Sequence, residues 1–276
     1  MSVEQSVAQH YTQGSLAQTI LGALRATGKD PERLSAADLA PVDEFHIGGR
    51  QATIDFAAEM SIRRGMHLLD IGSGLGGAAR YFAGEQGCTV AGIDLTDEYV
   101  RVANELARRT GLDGAVSYRQ GSALDLPFDA ASFDGAYTLH VGMNIEDKAR
   151  LFAGVHRVLK PGGVFGVYDV MRTGAGDFSF PLPWAATAAT SFVGTPADYR
   201  ELLEATGFAV VKERGRRGFA IDFFQQMRAR AAQSGGPPPL GLHILMGADF
   251  AAKTANMIDN LQRGLIAPTE IVCRAV

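Results

Sequence analysis

Between residues 66 and 170, short apolar runs alternate with longer stretches of helical periodicity. Residues 67–71, 89–93, 115–119, 133–138 and 164–170 read as strands. Residues 75–86, 97–110 and Glu146 to Leu159 read as helices, the last stopped by Lys160-Pro161-Gly162-Gly163. Strands that alternate with helices predict a parallel sheet with right-handed crossovers. A helix at 196–206, a strand at 208–213 and a final strand at 269–275 extend the pattern. The prediction is an α/β fold: a seven-stranded, mostly parallel sheet with helices on both faces, its last strand antiparallel.

Three blocks fall outside that alternation. Residues 1–64 form an N-terminal helical cap segment: apolar positions 16, 20, 21 and 24 give a helix over Leu16 to Ala26. A short helix follows at Leu34 to Leu39, then a turn at Pro41 and a helix from about Arg50 to Met60 after Gly48-Gly49. Residues 171–195 are a glycine- and proline-bearing stretch too long for a connector, which marks a functional insertion. Residues 216–266 are helical at Asp222–Gln233 and Asp249–Arg263, split by Ser234-Gly235-Gly236-Pro237-Pro238-Pro239. The core is therefore 65–170 with 196–215 and the last strand, 267–276. The blocks 171–195 and 216–266 are lid insertions. All three blocks meet the carboxyl edge of the sheet, where ligands bind in such folds, and together read as one mainly helical lid.

Composition narrows the partners. The chain has 276 residues, 46% hydrophobic and 20% charged, with a net charge of -4. That balance argues against a nucleic-acid partner, which demands a basic footprint. The short clusters Arg63-Arg64, Arg108-Arg109 and Arg214 to Arg217 read as solvated faces. Cys88 and Cys273 lack CxxC spacing and read as reduced core thiols of a cytoplasmic protein. The first twenty residues show no export pattern, and no apolar run has membrane-spanning length. The histidines have no metal-ligand spacing, so no metal is expected. No oligomer is indicated, although an apolar lid edge could equally be a dimer contact.

The chemistry lies in Leu68 to Leu95. Glycines at 72, 74 and 76–77 after an apolar strand make a tight loop that admits a ligand to the backbone. Asp70 at the strand end would repel a pyrophosphate and suits a ligand carrying an amine and a sulfonium. Asp94, 24 residues on at the end of the next strand, is placed to accept both ribose hydroxyls. This stretch resembles motifs I and II of the class I S-adenosylmethionine (SAM)-dependent methyltransferases (methyltransferase type 11, UbiE-like). The rival is a dinucleotide site in a nicotinamide-dependent reductase, and Asp70 speaks against it.

The resemblance implies a Rossmann-like fold, SAM as cofactor and S-adenosylhomocysteine as product. It implies cofactor contacts from Asp70, Gly72, Ser73, Gly74, Asp94, Leu95 and Leu139. The segment Gln120 to Phe128 resembles the family's adenine-edge segment, giving contacts from Ser122 and Ala123. Ser122 stands where the family carries an acid, so the side-chain contact to the amino group is weakened or differently made. With Gly48-Gly49 and Thr53 upstream, the pattern is nearest to the phosphoethanolamine, sarcosine/dimethylglycine and tocopherol methyltransferases, well over 45–170 and loosely elsewhere. In the phosphoethanolamine enzymes an N-terminal tyrosine closes over SAM against a histidine. Here Tyr11 matches the tyrosine, Asn144 takes the histidine's place, and His140 stands where those enzymes have an acid. That departure counts against a phosphobase substrate.

Methyl transfer is an in-line displacement, so the protein must orient a nucleophile and sometimes remove its proton. His140, just after the fourth strand, is the candidate base or orienting ligand. Asn144 either binds substrate or caps the next helix. Gly48 borders SAM by resemblance, while Phe45, His46, Trp184 and His243 are candidate substrate contacts. The blocks outside the core are rich in Phe, Met and Leu, which suits an apolar acceptor or the walls of a closed pocket. Only Arg172 and Arg214 to Arg217 stand out as an anion clamp. The expected function is a SAM-dependent methyltransferase acting on a small molecule at N, O or C. The alternatives are a C-methyltransferase of a prenyl, terpenoid or quinone-like acceptor, and a SAM-binding protein without catalysis.

Overall fold

The computed structural model describes residues 2–276. Its centre is a seven-stranded sheet built from β1 (His67–Ile71), β2 (Thr89–Asp94), β3 (Val116–Gln120), β4 (Phe133–Leu139), β5 (Leu159–Arg172), β6 (Phe208–Gly215) and β7 (Ile266–Ala275). The order is β3-β2-β1-β4-β5-β7-β6. Strands β1 to β5 pair in parallel, while β7 runs antiparallel to both β5 and β6. This is the Rossmann-like, seven-stranded architecture that the alternation predicts. The chain reverses between β1 and β4, and that switch opens a crevice at the carboxyl ends of β1, β2 and β4.

Helices α5 (Gly77–Gly84), α6 (Asp97–Arg109), α7 (Lys148–Val158) and α8 (Pro196–Ala205) cover the sheet. One face is sealed by Phe56, Phe82, Tyr137 and Tyr168, the other by Phe133, Phe152, Phe165 and Phe208. The strands are buried on both sides, which is why β1, β4 and β5 read as continuous apolar runs rather than alternating ones.

The material outside the core is α1 (Val3–Tyr11), α2 (Leu16–Ala26), α3 (Ala36–Asp43), α4 (Gly49–Glu59), α9 (Arg217–Ser234), α10 (His243–Met246) and α11 (Phe250–Gln262). Helix α1 escapes the sequence reading because its stretch is polar overall. Its signature is local: Ser2 and Gln5 form a capping box, and Val3, Val7 and Tyr11 recur every fourth residue. The expected turn at Pro41 is instead inside α3, which gives up one backbone hydrogen bond there. Strand β5 begins directly at Leu159 and takes in the Pro161–Gly163 stretch that reads as a stop. Helix α7 starts at Lys148 because Asp147 caps it through Arg150 N at 2.9 Å, two residues past the expected Glu146.

Two attachments fix α1 over the crevice. Glu98 on α6 accepts backbone N–H bonds from Gln13, Gly14 and Leu16 at 2.6, 2.9 and 3.0 Å, anchoring the α1–α2 turn. Arg80 on α5 is fully buried and donates to Asp43 at the end of α3 at 2.5 Å, tying the cap to the core.

Candidate active site

Two cavities meet above the carboxyl ends of the central strands. The larger, of about 260 Å³, lies over the glycine loop. Gly72 makes the turn possible: it sits at φ +72°, and a Cβ there would stand 2.5 Å from the Val141 side chain. Asp94 receives Gly74 N on one oxygen and Thr96 N on the other, both at 2.8 Å, so its carboxylate is aimed before any ligand arrives. Asp70 is 3% exposed and its Oδ2 has no hydrogen-bond partner among the described residues. Burial pushes its carboxyl up to about 7, and the neighbouring Asp94 adds to the rise.

Glu44 belongs to the same cavity and is also buried, with Oε1 unpartnered among the described residues. Burial, reinforced by Asp43, raises its carboxyl to about 8. Asp43, Glu44, Asp70 and Asp94 thus share the lining, and the nearest buried cation, Arg80, is already bound to Asp43. Such a site is short of positive charge. A ligand with a sulfonium and an ammonium fits it, and a pyrophosphate does not.

The smaller cavity, of about 70 Å³, lies between the 171–195 segment and helices α9 to α11. Its walls are Trp184, Phe223, Phe224, Met227, Met246 and Met257, with further apolar groups and Thr254. Tyr11, Phe45, His46 and His140 line both cavities and form the neck between them. Tyr11 Oη donates to Asn144 Oδ1 at 3.3 Å, bringing together the two residues that the sequence pairs.

The two neck histidines differ. His140 follows β4 at φ +57°, a backbone state that costs a non-glycine residue roughly 1–2 kcal/mol. Its Nδ1 stands 3.1 Å from Tyr168 O and its Nε2 accepts Ile47 N–H at 3.4 Å, so both ring nitrogens are engaged. Burial, helped by His46, lowers its basicity to about 3. His46 Nε2 donates to Gly49 O at 3.1 Å, which leaves Nδ1 as the bare nitrogen, without a partner among the described residues. Thr53 Oγ1 sits 3.1 Å from that Nε2 and donates to Glu44 Oε2 at 2.8 Å. Burial lowers His46 to about 4.

Most of the residues singled out in the sequence converge here. Asp70, Gly72, Ser73, Gly74, Asp94, Leu95, Ala123, Leu139, Asn144, Tyr11, Phe45, His46 and His140 line the larger cavity, and Trp184 the smaller. Three do not. Gly48 caps α4 beneath Phe219, because its φ of +93° and lack of a Cβ serve that turn. His243 packs against Phe250, outside both linings. Ser122 is turned away from the cavity: its Oγ donates to Glu4 Oε1 and accepts Leu124 N–H at 3.0 Å.

The arginines are also corrected. Arg214 and Arg216 both bind Glu270 and reach Glu59 and Asp55 respectively, Arg217 donates to Leu261 O and Gln262 O, and Arg172 lies over Phe178. None is an anion clamp. Sequence reasoning missed Glu4, Glu44 and Thr254. The capping box of α1 was the available signal for Glu4. For Thr254 there was none.

Residues 69–167 match the family described as a methyltransferase domain, the stretch that carries the motifs singled out in the sequence. A sterol 24-C-methyltransferase of Debaryomyces hansenii is 35% identical over 128 residues, 45% of this chain and 34% of that protein. The O-methyltransferase resE of Aspergillus sclerotiorum is 29% identical over 63% of this chain and 67% of its own length. The chain spans about a third of the length of the sterol enzymes that it matches. Among solved structures, phosphoethanolamine N-methyltransferase 2 of Haemonchus contortus with SAM superposes at a TM-score of 0.75, with 17% identity, over 100% of this chain and 60% of that one. The [4+2]-cyclase SpnF superposes at 0.69, with 22% identity, over 99% and 96%. The seven-stranded fold is thus shared. Among the described residues no helix is long and apolar enough to cross a membrane.

Proposed function

We propose that the chain is a SAM-dependent methyltransferase of small molecules, with SAM in the larger cavity and the acceptor in the smaller, apolar one. The observation that carries this reading is the shared neck of Tyr11, Phe45, His46 and His140, which joins an acid-rich chamber to an apolar one. When bound, SAM supplies an electrophilic methyl carbon. Asp94 would take the ribose hydroxyls, and Leu95 and Ala123 would flank the adenine. The unpartnered Asp70 Oδ2 and the glycine loop would receive the methionine end. Tyr11, held by Asn144, would close the roof and exclude water.

Calorimetric titration of SAM into wild type and Asp94→Ala tests the cofactor. Binding by the wild type that falls about 100-fold in the variant supports the reading, since a doubly hydrogen-bonded carboxylate contributes about 3 kcal/mol. No binding to folded wild type overturns it. Two further readings have support. The sterol relative is named for a C-methyl transfer, which suits an alkene in the apolar chamber. The cyclase neighbour carries the same fold under another chemistry, which suits SAM binding without transfer.

A further inference from the structure

Resting on the cofactor reading above, we propose that the acceptor is an uncharged, lipophilic alcohol or phenol, and that His46 rather than His140 takes its proton. The apolar chamber supplies the substrate class. Among the described residues that line it, none carries Asp, Glu, Lys or Arg. A phosphate, diphosphate or carboxylate would enter without a cation, and the arginines that could have served are already bound to Glu270, Asp55 and Glu59. An ammonium would shed its water without gaining a carboxylate in that chamber. Either burial is costly. The chamber does hold one waiting polar group. Thr254 Oγ1 is buried in its wall, on a residue 9% exposed, with no hydrogen-bond partner among the described residues. That hydroxyl fits a second neutral oxygen or nitrogen on the acceptor.

The neck supplies the proton acceptor. Tyr11 Oη is spent on Asn144, and both nitrogens of His140 are spent on Tyr168 O and Ile47 N. His46 alone of these groups presents a ring nitrogen without a partner, Nδ1, because Gly49 O holds the proton on Nε2. Behind it stand Thr53 and the Glu44 carboxyl, whose Oε2 is 3.7 Å from Nε2. The Gly49 carbonyl fixes the tautomer, and an imidazolium formed at His46 would draw the nearby Glu44 carboxyl toward its ionised form, so the buried pair offsets the new charge. In the step itself, the acceptor oxygen bonds to the methyl carbon as the carbon–sulfur bond breaks. The electron pair stays on the sulfur of S-adenosylhomocysteine, and the hydroxyl proton passes to His46 Nδ1. The products are a methyl ether, S-adenosylhomocysteine and a protonated histidine, which returns its proton to water as the lid opens.

A matched set of probes tests both halves: 4-propylphenol, its phosphate ester, 4-propylbenzylamine and 4-propylstyrene, each with SAM under single-turnover conditions and mass-spectrometric detection. The expected product is the methyl ether of the phenol and nothing from the other three. His46→Asn should slow that transfer about 100-fold, the size of a general-base contribution, while its calorimetric SAM affinity stays at the wild-type value. The deficit should shrink for 4-cyanophenol, a more acidic phenol that needs less help, a trend that a purely structural role would not produce. His140→Asn, with a residue that tolerates the left-handed backbone there, should slow transfer less than tenfold by comparison. Thr254→Val should weaken a probe bearing a second hydroxyl by a larger factor than it weakens 4-propylphenol. With SAM binding intact, a His46→Asn rate equal to wild type overturns the proposal, as does methylation of the amine, the styrene or the phosphate ester, or of no probe at all. Wild type that fails to bind SAM overturns the cofactor reading beneath it, and calorimetry separates that failure from the others.

Discussion

Glu4, in the first turn of the N-terminal helix, accepts a hydrogen bond from Ser122 at the exit of β3, although the two residues lie 118 positions apart. Glu4 lines the larger cavity beside Ala123 and Leu124, whereas Ser122 does not. The roof thus brings a carboxylate to the turn where the resembling enzymes carry one and this chain has serine. The predicted consequence is that Glu4→Gln weakens both SAM and S-adenosylhomocysteine by roughly tenfold, because a charge-assisted hydrogen bond contributes about 1.5 kcal/mol or more. An S-inosylhomocysteine control, which lacks the purine amino group, should bind both proteins alike. Calorimetry with the three ligands reads this directly. Equal losses for all three would show that Glu4 only holds the helix.

That pair also marks the boundary of what the sequence discloses. The sheet, its mostly parallel sense and the glycine loop are legible because their signals are local: apolar runs of strand length, glycines at a turn, acids at two strand ends. The pairing of Tyr11 with Asn144 is legible by resemblance. Glu4, Glu44 and Thr254 are not, since each becomes part of the site only when an element outside the core folds over the sheet. His140 illustrates the converse. Its position after β4 suggests a base, yet two backbone partners occupy both of its nitrogens. Position along the chain predicts proximity, and the hydrogen-bond inventory decides role.

The buried carboxyls predict an unusual pH dependence. Asp70 and Glu44 are raised to about 7 and about 8, chiefly by burial. A carboxyl raised on folding is protonated in the native state and ionised in the unfolded chain between its two values. Its stabilising contribution is complete below about pH 4, near the unfolded value, and is lost as pH climbs through 7 and 8. The ligand-free protein should therefore melt at a lower temperature at pH 8.5 than at pH 6. A cationic ligand favours the ionised carboxylates, so the increase in melting temperature caused by SAM should grow over the same interval. S-adenosylhomocysteine lacks the sulfonium and should show a smaller growth. Thermal melts at pH 6, 7 and 8.5 with each ligand measure it, and a SAM-induced shift independent of pH would contradict the assignment.

The contact between Arg80 and Asp43 predicts where the fold and the site depend on one another. Arg80 is fully buried on α5, donates to Asp43 at 2.5 Å, and leaves Nε and Nη1 without partners among the described residues. Asp43 is raised by burial despite that guanidinium, and its Oδ1 is also unpartnered. Gly77, the first residue of α5, has no room for a Cβ because Asp43 O would stand 2.5 Å from it, so α3 and α5 are in close contact here. Taking away the guanidinium leaves a buried acid with only the partly exposed Arg50, already paired with Glu85, as counter-charge. Arg80→Met should therefore cost about 3–5 kcal/mol, and the surviving acid should draw a proton. Asp43→Asn in the same background removes the orphaned charge and should restore a large part of the loss. Urea unfolding of both singles and the double gives the coupling directly. If the two single costs simply add, the pair is not the clasp between cap and core. If the double is markedly better than the sum, the clasp is ionic, and SAM affinity measured on the same proteins should follow the recovered stability, because Asp43 and its neighbour Glu44 both line the larger cavity.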